Sequence, residues 1–210
     1  MIRLVTAGGR GGFTLVEFLV AIAIGGVLLT ATYELLNTNS KLYYSKENTM
    51  MMTRDLRAST DFLIREIRMA GYNPTGASGI GFQVGTSTDR IHFTMDILGV
   101  PDGAITGIEE IEYYTVSLGG IPSLLRRTGG ATNDSLNYLI AEYILSLEFN
   151  YFDSTGTELT SFPLSTTDLG NIYAVDITIN AETPEPDAIT HVRKRDSMTT
   201  RVRIRNAGLQ

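Results

Sequence analysis

The sequence predicts an α+β protein in which one long N-terminal helix is followed by an antiparallel β-sheet. Three observations carry this. Between Gly26 and Gly71 there is neither glycine nor proline, so nothing in the residue types interrupts a helix. Between Glu17 and Glu34 there is no charged residue, which marks the first part of that helix as apolar on all sides. From Ile80 onward the helical period gives way to short alternating β-prone runs separated by turn residues.

The first element, residues 1–12, reads as a leader. It carries Arg3 and Arg10 and ends in Ala7-Gly8-Gly9-Arg10-Gly11-Gly12. Each glycine disfavours helix by about 1 kcal/mol relative to alanine, and a backbone without side chains stays open to a protease that binds extended chain. An ordinary signal peptidase site would follow the apolar run and place small residues at A-x-A spacing. Here Leu29-Thr30-Ala31 offers no such site.

The second element, residues 13–36, reads as a transmembrane helix. Phe13 to Tyr33 as a helix would span roughly 31 Å, against a hydrocarbon core of about 30 Å. The basic flank at Arg3 and Arg10 keeps the N-terminus cytoplasmic and sends the chain beyond Leu36 across the membrane. Glu17 is the anomaly. A carboxylate near mid-bilayer costs about 2–3 kcal/mol to insert, so it snorkels to water or finds a cation.

At this point the residues resemble a known family. Gly12-Phe13-Thr14-Leu15-Val16-Glu17, fused to Phe18-Leu19-Val20-Ala21-Ile22, is similar to the class III signal of type IV pilins and type II secretion pseudopilins. The resemblance implies a pilin-like fold, cleavage between Gly12 and Phe13 by prepilin peptidase, and N-methylation of Phe13. Such a cut would supply the cation that Glu17 lacks: a new ammonium at Phe13, to which the Glu17 of a neighbouring subunit is expected to be attracted in assembly. Where many members have a proline at the twenty-second mature position, this chain has Glu34; Gly25-Gly26 is the weaker point of the helix.

The third element, residues 37–72, continues the helix as an amphipathic rod. Met52, Leu56, Ser59, Leu63, Ile67 and Ala70 recur at spacings of three and four, with charged residues such as Arg54, Asp55 and Arg57 mostly elsewhere. Leu56, Leu63 and Ile67 are the expected helix–sheet packing residues. The run Met50-Met51-Met52 reads as packing. Gly71 ends the helix, with Pro74 just beyond. The string from Leu63 to Pro74, containing Ala70-Gly71-Tyr72, is similar to PilW-type minor pilins and the related J-type pseudopilins.

The fourth element, residues 73–210, reads as an exported β-rich domain. Strands are expected near 90–95, 109–117, 123–127, 144–152, 172–179 and 199–205, forming one sheet on the apolar face of the helix. Gly119-Gly120 and Gly129-Gly130 bracket the third strand as hairpin turns, 153–158 reads as a β-turn, and the polar run 181–197 as a solvated hairpin loop. Arg201-Val202-Arg203-Ile204-Arg205-Asn206 is similar to the ending of PilW-type chains.

Composition narrows the function classes. A net charge of -6 excludes nucleic acid, which needs a concentrated basic surface. The lack of any cysteine excludes disulfides, thiolate metal sites and lipidated cysteine. His92 and His191 lie in no catalytic or metal-binding pattern, so no enzyme, cofactor or metal is expected. The resemblance implies a minor pilin working with prepilin peptidase, other minor pilins, the major pilin, an inner-membrane assembly platform and membrane lipid. It would reside in the bacterial inner membrane and then the pilus. A pseudopilin of type II secretion is the alternative, and a membrane-anchored envelope enzyme or receptor a more distant one.

Overall fold

The computed structural model describes residues 12–97, 101–129 and 136–207. The chain divides into two compact units, Met1–Tyr44 and Ser45–Gln210. One helix, α1 (Leu15–Arg68), contributes to both. The leader reading falls on residues outside the described ones, apart from Gly12.

In the first unit α1 is unbroken through Gly25-Gly26. It is long and apolar enough to cross a membrane, and none of its most apolar window is buried within the protein. Two of its hydroxyls are satisfied internally: Thr30 Oγ1 donates to Gly26 O at 2.9 Å and Thr32 Oγ1 to Leu28 O at 2.8 Å. That removes the main polar liability of threonine in hydrocarbon.

In the second unit the remainder of α1 buries Ser45, Met52, Leu56, Ser59, Thr60, Leu63 and Ile67. Among the described residues seven strands follow: β1 (Arg90–Thr94), β2 (Glu110–Leu118), β3 (Ile121–Thr128), β4 (Leu136–Glu142), β5 (Ile144–Phe152), β6 (Ala174–Glu182) and β7 (Arg195–Arg203). A short helix, α2 (Thr166–Asn171), lies between β5 and β6. All pairings are antiparallel.

The strands form two sheets, β1-β2-β3-β4 and β5-β6-β7, where the sequence suggests one. The division lies at Tyr143, the single residue between β4 and β5, whose φ is 60°. A left-handed residue there turns the chain out of the first sheet, so β5 pairs with β6 instead of continuing the order. Apolar side chains from both sheets and from α1 join in one core, with Leu63, Ile67, Phe93, Tyr113, Phe149 and Ile177 each fully buried. The alternation expected in β6 is observed: Val175, Ile177 and Ile179 are buried, and near the C-terminus Val202 and Ile204 are buried while the flanking arginines are exposed.

Gly119 and Gly120, with φ of 58° and 90°, close the β2–β3 hairpin, a turn that demands left-handed residues. β6 and β7 extend further than the sequence suggests, to the pair Glu182–Arg195, which shortens the connection to 183–194.

Candidate functional site

At the start of α1, Thr14 occupies the N-cap and Glu17 the third helical position. The Thr14 N–H donates to Glu17 Oε2 at 2.9 Å and its hydroxyl to the same oxygen at 3.0 Å. In return Thr14 Oγ1 accepts from the Glu17 N–H at 3.2 Å. This is a capping box, which satisfies helix-start donors that would otherwise be orphaned. In the sequence Glu17 stands out as a charge out of place and as part of the motif that follows Gly12, and its capping role is missed. The spacing Thr14-x-x-Glu17 ahead of an apolar run is the signal that could have identified the cap.

The geometry around the expected cleavage point is open. A side chain added at Gly12 would meet nothing within 4 Å, and Phe13 is 91% exposed. Glu17 is held against Thr14, the residue next to Phe13. Glu17 is four positions from Phe13 along the chain. Both Thr14 contacts use Oε2. Oε1 therefore retains acceptor capacity for a cation.

In the second unit the packing residues lie in the core: Leu56 is 2% exposed, Leu63 and Ile67 0%. Met52 packs with them, whereas Met50 and Met51 are 72% and 43% exposed, so the methionine run is only partly packing. Next to this face Glu66 receives the Tyr113 hydroxyl and two N–H groups of Arg126. Burial, and then the Glu66 charge, push the Tyr113 hydroxyl far above its ordinary range, so it stays a donor. Burial works against the charge of Arg126, but the hydrogen bond and attraction from Glu66 outweigh it and raise its pKa.

The connection 183–194 is a hairpin loop with ion pairs at its base and within it, and it is docked, rather than freely solvated. Glu182 pairs with Arg193 at 3.1 Å and Arg195 at 3.4 Å, and Lys194 with Asp187 at 3.0 Å. The Ser45 hydroxyl of α1 donates to Asp187, and Lys194 Nζ donates to Ser45 Oγ at 3.0 Å. The Ser45 hydroxyl, the Thr190 N–H, the Lys194 ammonium and the Ile189 N–H hold the Asp187 carboxyl far below its usual range. Ser45 beside Lys194 looks like a nucleophile and its base. However, the serine proton goes to Asp187 and the lysine is an ion-pair donor, so the arrangement is a clasp.

The remaining candidates are structural. His92, on β1, has Nε2 at 2.8 Å from Glu110 and Nδ1 at 3.1 Å from Val84 O, a pairing across strands that sequence spacing does not show. His191 is a left-handed loop residue with φ of 56°. Asp153 accepts from the Thr155 N–H, the Thr155 hydroxyl and the Thr157 N–H, so its carboxylate is used in making its own turn. Among the described residues no group of three or more histidines and carboxylates could hold a metal.

Comparison with known proteins adds two findings. Residues 8–33 match the model of the prokaryotic N-terminal methylation motif, a span that contains Gly12, Phe13 and Glu17. The fold is similar to that of a type IV-like pilin from Thermus thermophilus, with a TM-score of 0.52 at 12% identity, over 74% of this chain and 96% of that one. No curated protein sequence matches. The chain is thus type IV pilin-like in its N-terminal motif and in its fold.

Proposed function

We propose that this chain is a minor pilin. Prepilin peptidase cuts it between Gly12 and Phe13, the Phe13 amine is methylated, and the helix of residues 13–36 anchors it in the inner membrane with the β-rich unit on the far side. It then joins other minor pilins and the major pilin on the inner-membrane platform, priming or capping a type IV pilus. The observation that carries this reading is the methylation motif over residues 8–33 placed directly before a helix and sheets of pilin-like fold.

The residues supply the steps. Gly12 presents an extended backbone without a side chain to the peptidase. The uncharged stretch between Glu17 and Glu34 supplies the anchor, its Thr30 and Thr32 hydroxyls already bonded within it. Glu17, capping its own helix start, offers its second oxygen to a Phe13 ammonium in an apolar bundle, where such a pair is worth more than in water. The role is one of assembly, not catalysis.

N-terminal mass spectrometry of the protein from cells containing prepilin peptidase tests the reading. The expected product begins at Phe13 and carries a methyl group. An intact Met1, or a start within the apolar helix, would overturn it. In cells deleted for the gene, lost surface pili with intact protein secretion supports the pilus role; the reverse outcome assigns the chain to a type II secretion pseudopilus.

A further inference from the structure

A groove of about 780 Å³ opens within the second unit, between α1 and the β4–β5 corner. Its helical wall is the stripe Met51, Asp55, Ala58 and Phe62, spaced at four, three and four residues, which runs beside the buried core stripe. Leu139 and Glu142 of β4 form the opposite wall. The floor is made of small side chains, Ser59, Ala141 and Ala181, which is why the surface is hollow there.

Three features of this groove point to an occupant. Its wall residues Met51, Phe62 and Leu139 are 43%, 39% and 50% exposed, an apolar surface concentrated at one place. β4 is an edge strand, and among the described residues no strand pairs with its outer side. Its main-chain groups over Leu136–Leu139 are therefore a template for another strand, and at Ile140 a bulge interrupts the pairing with β3. The charges at the groove are acidic. Glu142 is exposed, Asp55 is exposed and in only a long contact of 3.5 Å with the still more exposed Arg54, and Glu182 is already matched by Arg193 and Arg195.

We infer that this groove docks an extended segment of another polypeptide, apolar on one face and bearing lysine or arginine, which adds to β4 as a further strand. Backbone pairing along β4 supplies the affinity, and Asp55 and Glu142 select the basic side chains. The acidic rim disfavours a second copy docking through the same face, since isologous pairing would bring like charges together. The inference rests on the second unit alone and is independent of the N-terminal processing proposed above.

Binding of fluorescent octapeptides to the full chain in detergent micelles at low salt tests this. The probe alternates valine and lysine; one control replaces lysine by glutamate and another is methylated at every backbone nitrogen. The valine–lysine peptide is expected to bind at least ten-fold more tightly than either control. The Asp55→Lys/Glu142→Lys variant, altered only at exposed positions, is expected to reverse the charge preference. Its fold is checked by circular dichroism. No binding at millimolar peptide, equal binding of both charge types, or indifference to backbone methylation would overturn the inference. So would a disulfide between two copies of Leu139→Cys formed without peptide, which would make a second copy the occupant. The chain has no cysteine of its own to confuse that result.

Discussion

Arg126 of β3 reaches Glu66 of α1 through two parallel contacts, Nε to Oε2 at 2.9 Å and Nη2 to Oε1 at 3.0 Å. The pair is mostly buried, with side-chain exposures of 13% and 21%, and Tyr113 donates to the same carboxylate. Removing the acceptor would leave a guanidinium and a hydroxyl unpaired at the helix–sheet boundary. Glu66→Ala is therefore expected to destabilise the protein by about 2–3 kcal/mol, and Glu66→Gln by less, because an amide oxygen still accepts. Urea unfolding followed by circular dichroism measures the difference; equal stability of all three proteins would show the pair to be without weight.

Glu17 combines a cap and a charge, and two substitutions separate them. Glu17→Gln keeps an oxygen for the Thr14 N–H but removes the charge; Glu17→Ala removes both, with a cap loss of about 1 kcal/mol. If pairing with a Phe13 ammonium drives assembly, both variants are inserted and both are depleted from purified filaments. Incorporation of Glu17→Gln at the wild-type level would leave the carboxylate as a helix cap only.

Leu63 and Met50 lie on the same helix with opposite surroundings, 0% and 72% exposed. Leu63→Ala is expected to cost about 2–5 kcal/mol through lost burial and a residual cavity. Met50→Ala should stay within about 0.5 kcal/mol. A melting temperature that responds equally to both would place the core on a different face.

Acid weakens the clasp at Asp187. Its carboxyl is depressed in the folded state, so its contribution is present above the ordinary carboxylate pKa of about 4 and shrinks as pH falls below that value toward the folded one. Wild type should exceed Asp187→Asn in stability at neutral pH, and the gap should narrow steadily below pH of about 4. Paired urea titrations across that range check the sign. A gap that widens in acid would contradict the assignment.

Much of this is legible in the residues, for identifiable reasons. The buried stripe from Met52 to Ala70 stands out because one period of 3.6 persists for several turns and charged side chains mark the opposite face. β6 stands out because its alternation is strict. β4 does not: a strand is expected only from Ile144, and the chain that makes β4 is parted from β5 by a tyrosine at φ of 60°, a residue that carries no turn signal. α2 is only six residues long, and its sign is the local capping box of Ser165 and Asp168. The clasp joins Ser45 to Asp187 across 142 positions, so no local spacing could announce it. At the candidate site the proposed cleavage dipeptide Gly12-Phe13 and Glu17 are visible from motif chemistry, whereas the bond from Glu17 to Thr14 needs the helix start to be placed to within one residue.

The clasp also has a mechanical meaning. Ser45 is the first residue of the second unit, so a pull transmitted along the backbone from the N-terminal side enters that unit there. The first side chains to take up the load are Asp187 and Lys194, in the loop that joins β6 to β7. Tension is thus passed into a pair of strands joined along nine residue pairs, from Ala174–Arg203 to Glu182–Arg195, instead of falling on α1 alone. Severing the clasp would shift the point of yield along the helix to Met52, the next residue anchored in the core.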